Sequence, residues 1–140
     1  MDFTEIHPLV IHFPIALFSV GFLCDTFGCV FQKKGLEHAG WWNLVFGVLF
    51  SVVSIITGLI TDFGSRPRLI DRPFPLHENH AYLQILTVCL FLSLMVWRAK
   101  TRPVLSFDSK PALIYLGVLW FSVGLLFYGS HLGAVLSGRI

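Results

Sequence analysis

Charged side chains are scarce in this sequence, and that scarcity limits where the protein can reside. Asp, Glu, Lys and Arg make up 13% of the 140 residues, whereas apolar residues make up 55%. This composition fits either an unusually apolar soluble domain or a membrane protein, so the arrangement of the residues decides between them. The apolar residues gather in four long runs, which favours the membrane.

Several familiar motifs are absent as well. The three cysteines have no CxxC spacing, which gives no indication of a disulfide framework or of covalent haem attachment. The acidic start lacks the basic region of a secretory signal, so we expect the first helix to be retained. No nucleophile with a base and no phosphate loop is recognisable, so we expect an electron carrier or binding subunit rather than a stand-alone enzyme. The basic residues are dispersed, which argues against a nucleic-acid partner.

Each apolar run is long enough to cross the ~30 Å hydrocarbon core as a helix and too long for a barrel strand. The sequence therefore predicts an all-α integral membrane four-helix bundle in up-down-up-down order, with both termini on the same side. Residues 1–140 form a single transmembrane domain, with helices expected at about 9–31, 41–62, 80–98 and 112–137. No sequence repeat is evident, although two hairpins would be compatible with two similar halves.

Lysine and arginine residues in the short loops predict the orientation. They follow the first helix and lie between the third and fourth helices: Lys33, Lys34, Arg98, Lys100, Arg102 and Lys110. By the positive-inside rule these loops are cytoplasmic, and both termini are then extracytoplasmic. The long loop of residues 63–79 lies on the opposite side and is the only one large enough to cap a site.

Polar and small residues recur at helical spacing within three of the runs. In lipid such stripes turn inward to pack or to bind. The second run carries Gly47, Ser51, Ser54, Gly58 and Asp62. The third begins with His77, His80, Gln84 and Thr87, and the fourth carries Gly117, Gly124 and His131 with Gly129, Gly133 and Ser137. We expect these glycines to let a helix or a flat ligand approach closely.

Histidines concentrate at one end of the predicted bundle. Five of the six histidines, together with one carboxylate, fall at the extracytoplasmic face: His7, His12, Asp62, His77, His80 and His131. Neutral imidazoles from separate helices are typical axial ligands of b-type haem, which needs no cysteine. Phe13, Phe127 and Tyr128 would line such a ring, and Arg66, Arg68 or Arg72 would meet its propionates.

Other interpretations of this cluster remain open at the sequence level. Several histidines with Asp62 also suit a zinc, copper or iron ion without haem. Proton transfer through titratable groups is a third possibility. Asp25, toward the other face, would serve such a pathway or simply pair with Lys33, Lys34 or an indole N–H.

The motifs resemble a known family. The elements His7-Pro8 and His12-Phe13-Pro14-Ile15-Ala16-Leu17, then Asp25, Gly58 with Asp62, His80 and Ser130-His131-Leu132-Gly133 resemble domain of unknown function 2231. The ending departs from the family pattern, since Gly133 is followed by Ala134-Val135-Leu136. The resemblance implies a four-helix bacterial membrane protein without a settled activity and singles out His7, His12, His80 and His131.

From the sequence we predict a membrane haem b electron-transfer protein whose cofactor is bound by His7, His12, His80 and His131. A non-haem metal site is the alternative, with His12, His80, His131, Asp62 and His77 as ligands. A structural or assembly subunit, whose histidines only form hydrogen bonds, is the third possibility. Expected partners are the lipid bilayer, a quinol or a periplasmic cytochrome, and a second copy or a larger complex.

Overall fold

Four long helices make up most of the described part of the chain. A computed structural model describes His7 and residues 9–63, 79–101, 105 and 108–136, except for the side chains of residues 61–63 and 136. The helices are α1 (His12–Phe31), α2 (Lys34–Phe63), α3 (His80–Thr101) and α4 (Lys110–Leu136). No strand occurs in this part of the chain. The all-α prediction is confirmed.

All four helices are long and apolar enough to cross a membrane. The candidate spans are His12–Phe31, Lys34–Ile60, His80–Thr101 and Lys110–Val135. Large apolar side chains such as Leu49, Ile114 and Phe121 are more than half exposed on the outer surface of the bundle. In water such a surface would be costly, whereas acyl chains cover it without loss.

The helix boundaries differ from the apolar runs at the α1–α2 connection. Gln32 ends α1 in the left-handed region, and the Lys33 amide donates to the Gly28 carbonyl. Helix α2 then begins at Lys34, seven residues before its apolar run. Residues 34–40 include three polar side chains, Lys34, Glu37 and His38, yet are compatible with a helix. Hydropathy reports contact with lipid rather than backbone hydrogen bonding.

Helices α1 and α3 contact one another through residues 73 positions apart. The rings of Phe18 and Phe91 stack at a centroid distance of 3.7 Å, and both side chains are buried. Seven residues further along each helix, Asp25 forms an ion pair with Arg98. Each contact joins a residue of α1 to the residue 73 positions later in α3. The first half of the molecule, α1 and α2, and the second half, α3 and α4, therefore contact each other through equivalent positions.

Each of these helices packs closely on the helix that follows it. Where α2 packs on α1, Gly47 leaves room for the Phe18 ring. A Cβ atom at Gly47 would lie 2.6 Å from that ring. The predicted small and polar stripe of α2 therefore faces inward, with Ser51 and Ser54 buried as well. The corresponding packing of α3 on α4 uses Gly129 and Gly133.

Candidate functional site

The first element of the candidate site is His7, which lies one helical turn before α1. Its carbonyl accepts a hydrogen bond from the Ile11 amide, and its half-buried ring rests against Gly58 of α2. A Cβ atom at Gly58 would lie 3.0 Å from Cε1 of the imidazole, so a larger residue would press on the ring.

A hydroxyl group fixes the protonation pattern of the His7 ring. Its Nδ1 lies 3.1 Å from Oγ1 of Thr57, whose own proton is donated to the Ser54 carbonyl. The Thr57 oxygen therefore accepts, and Nδ1 of His7 is the donor. In the neutral imidazole this leaves the lone pair on Nε2, the nitrogen that a metal would bind.

The second element is His80, the first residue of α3. The amide of Tyr82 donates to the side chain of Asn79, which caps the helix and sets its starting point. The imidazole packs on α4, where a Cβ atom at Gly133 would lie 2.6 Å from Cε1. Only glycine leaves room for the ring at this position.

A backbone carbonyl fixes the tautomer of His80. Its Nδ1 lies 2.6 Å from the carbonyl oxygen of Gly129. Because a carbonyl can only accept, Nδ1 carries the proton and Nε2 keeps its lone pair. A hydrogen bond from Nδ1–H to a carbonyl is the usual support of a metal-binding histidine.

The two imidazoles are neighbours at one end of the bundle. Burial lowers the pKa of His7, and the positive charge of a protonated His80 lowers it further, whereas hydrogen bonding at the Ser54 backbone raises it. The environment therefore favours neutral His7, the form that binds metals. The candidate site therefore brings two imidazoles, one from each half of the molecule, to the same end of the bundle.

The remaining predicted ligands do not join this pair in the described structure. His12 and His131 are both exposed on the outward faces of α1 and α4. Asp62 belongs to the last turn of α2, but its side chain lies outside the described residues, as does all of His77. Within the described residues, no group of three or more His, Cys, Asp and Glu side chains is arranged to hold a metal ion.

The other residues predicted to line a haem are likewise either exposed or outside the described residues. Phe13 is exposed and stacks on Phe50, while Phe127 and Tyr128 are exposed on α4. At Gly117 and Gly124 an added Cβ would meet nothing within 4 Å, so these two glycines face outward. The three arginines proposed for the propionates lie outside the described residues.

Comparison with protein-family models identifies the family of this chain. A family described as a predicted membrane protein, DUF2231, matches residues 4–140, which is nearly the whole chain. The chain belongs to this family. No curated protein and no solved structure matches it. The DUF2231 description agrees with the four apolar helices, so this is a multi-pass membrane protein.

The opposite end of this DUF2231 protein holds a second polar cluster that sequence reasoning only partly found. Both Arg98 and Tyr115 donate to Oδ2 of Asp25, the latter at 2.7 Å, and Arg98 also donates to the Glu37 carbonyl. The pairing of Asp25 was expected, but with Lys33, Lys34 or an indole N–H. The sequence signal that pairs Asp25 with Arg98 is a shared spacing. Asp25 follows His7 by 18 residues, and Arg98 follows His80 by 18 residues.

Proposed function

We propose that this protein is a membrane electron carrier that binds b-type haem, with His7 and His80 as the residues that would hold it. The observation that supports it best is the pair of imidazoles, one from each half, whose Nδ1 atoms both have hydrogen-bond partners among the described residues, so that Nε2 of each neutral ring would be the metal-binding atom. Both side chains are partly buried.

Haem suits this ligand set because the macrocycle itself supplies four of the six iron ligands. Two neutral imidazoles complete the coordination, and no covalent attachment is needed. The chain would bind and orient the group and hold the two ligands in one tautomer. His12 and His131 remain predicted ligands. Because both side chains are exposed on the outward faces of their helices, they would bind a cofactor only together with a further partner molecule.

A single non-haem ion on the same pair is the alternative. The clefts beside Gly58 and Gly133 are filled by the imidazoles themselves, and the same two Nε2 atoms would hold the ion. Zinc, copper and iron all accept imidazole ligands. The additional ligands would be Asp62 and His77, as the sequence predicts.

The location of the site supports exchange of electrons at the extracytoplasmic side of a bacterial inner membrane. Exposed Lys33, Lys34, Lys100 and Lys110 lie at the ends of the helices remote from His7 and His80. The positive-inside rule then assigns that remote end to the cytoplasm. A quinol or a periplasmic cytochrome is the partner class that such a position suits.

An absorption spectrum tests the proposal. The protein is expressed with added haem precursor, purified in detergent, and measured in its oxidised and reduced forms, with metal content determined on the same sample. We expect a Soret band that His7→Ala and His80→Ala diminish and that His38→Ala, an exposed control, retains. Bound metal without a Soret band would favour the non-haem site. A folded sample without either would contradict both proposals.

A further inference from the structure

The buried positions of α1 recur in α3 at a constant distance along the chain. Each buried residue of α1 between positions 14 and 25 has a buried counterpart 73 positions later. The pairs are Pro14 with Thr87, Phe18 with Phe91, Gly21 with Leu94, and Asp25 with Arg98. Only one of these pairs keeps the residue type, so the equivalence is visible in the structure and not in the sequence.

Helices α2 and α4 correspond in the same way, with an offset of 75 positions. Every buried residue of α2 between positions 40 and 54 has a buried counterpart in α4. The pairs are Gly40 with Tyr115, Leu44 with Leu119, Gly47 with Ser122, Val48 with Val123, Ser51 with Leu126, and Ser54 with Gly129. The two halves are therefore two versions of one helical hairpin.

The contact between the halves is that of a symmetric dimer. Because α1 and α3 touch through equivalent positions, the halves are related by an approximate twofold axis, and such an interface is complementary to itself. The ring of Phe18 stacks on its own counterpart, Phe91. By shape alone, the first half of one chain would fit the first half of a second copy as well as it fits its own second half.

Charge removes this ambiguity at one pair of positions. Asp25 and Arg98 are equivalent but opposite in charge, and both are buried. If two first halves met, the two Asp25 carboxylates would face each other, and two second halves would bring the two Arg98 guanidinium groups together. Like charges without water or counterions are strongly unfavourable.

The neighbouring helices are adapted to the same difference. Gly40 of α2 leaves room for the carboxylate of Asp25, since an added Cβ would collide with it. Its counterpart in α4, Tyr115, donates a hydrogen bond to Asp25 and accepts one from Arg98. The hydroxyl therefore contacts a residue of each half, an arrangement that only the unlike pairing provides.

We propose that Asp25 and Arg98 select the partner of each half: the buried face of α1 accepts the face of α3 and rejects α1 of a second copy. The halves consequently pair within one chain instead of joining like halves of two chains. The inference needs no cofactor and does not depend on the histidine end. A pair that only added stability could be replaced by apolar residues without any change of partner, whereas a selecting pair could not.

Disulfide cross-linking of the full chain distinguishes these two roles. Phe18→Cys is introduced after the three native cysteines have been replaced by alanine, and the protein is oxidised in lipid vesicles. With Asp25 and Arg98 present we expect few cross-linked dimers. With Asp25→Leu and Arg98→Met added we expect at least about tenfold more, because a buried contact between like charges costs more than one factor of ten in affinity.

Val20→Cys is the matched control, since Val20 is exposed on the same helix and reports random collisions. Its cross-linking yield should be the same with either pair at positions 25 and 98. Equal yields from Phe18→Cys with and without the charges, whether high or low, would overturn the proposal. Circular dichroism ensures that only helical samples are compared.

A second experiment keeps the charges and changes their distribution. Two differently tagged chains, one with Asp25→Arg and the other with Arg98→Asp, each carry like charges at both positions. We expect each chain alone to give a several-fold lower yield of folded protein than the wild type, and co-expression to restore the yield as a complex that contains both tags. A wild-type yield from either chain alone, or no joint complex on co-expression, would contradict the selection of partners by charge.

Discussion

The two ends of the bundle use equivalent positions for opposite purposes. At one end the residues 73 positions apart are alike, His7 and His80, and each has a hydrogen-bond partner at Nδ1. At the other end they are Asp25 and Arg98, whose opposite charges satisfy each other together with Tyr115. Two imidazoles can share a ligand, whereas an ion pair is complete by itself. We therefore propose that binding belongs to the histidine end, and we assign attachment of the two halves to the other.

The largest expected effect is at the charged end. Arg98→Ala leaves the carboxylate of Asp25, only 1% exposed, without its cation, which should cost about 3–5 kcal/mol in the free energy of unfolding. Reversible unfolding in mixed detergent measures it. A double variant, Asp25→Leu with Arg98→Met, should recover much of the loss because no charge remains unpaired. An unchanged Arg98→Ala protein would remove the structural role of this end.

Gly40 provides a smaller perturbation of the same end. A Cβ atom at Gly40 would collide with Oδ1 of Asp25, an oxygen that is buried without a hydrogen bond within the described residues. Gly40→Ala should therefore destabilise the protein by about 1–3 kcal/mol through overpacking. Gly35→Ala in the same helix is the control, since an added Cβ there meets nothing within 4 Å. Equal unfolding energies for both variants would contradict the packing described.

Tyr115→Phe removes two hydrogen bonds, the one that the hydroxyl donates to Asp25 and the one that it accepts from Arg98, while keeping the ring that stacks on Trp97. The lost hydroxyl donates to a carboxylate, so we expect a destabilisation of about 1.5–3 kcal/mol at most, and less if Arg98 compensates. The haem content should not change, because the site is at the far end. A loss of haem without a loss of stability would show that the two ends are not independent.

Gly133→Ala should affect ligand binding more than stability, which is the reverse of the effect expected for Tyr115→Phe. The new methyl group displaces the His80 ring, so we expect haem affinity to fall by about 10–100-fold. Gly124→Ala in the same helix is the matched control, because it faces outward into open space. If both variants bind haem like the wild type, His80 is not a ligand.

Much of the fold was predictable because lipid imposes simple rules on the chain. Runs of apolar residues predicted four helices, and the small and polar stripe of α2 correctly predicted its inward face. The start of α2 was not predictable from hydropathy, since residues 34–40 extend the helix beyond its apolar run. The role of Arg98 was missed for a related reason, because a cation near a helix end resembles a loop residue.

The ligand set stays a prediction. Of its members the structure places His7 and His80 at the same end of the bundle, but the expectation that glycines beside His131 would make room for a ring next to that histidine overlooked helix geometry. At 100° per residue, His131 and Gly133 lie about 200° apart, so an inward Gly133 turns His131 outward. The pairing of His7 with His80 depends on contact between the two halves, which no local pattern within one helix reveals.

The reduced-minus-oxidised absorption spectrum of the detergent-purified protein tests the central claim most directly. We predict a b-type spectrum in the wild type that disappears in the double variant His7→Ala with His80→Ala, while Gly124→Ala protein retains it. A b-type spectrum that persists in the folded double variant would contradict the assignment of these two histidines.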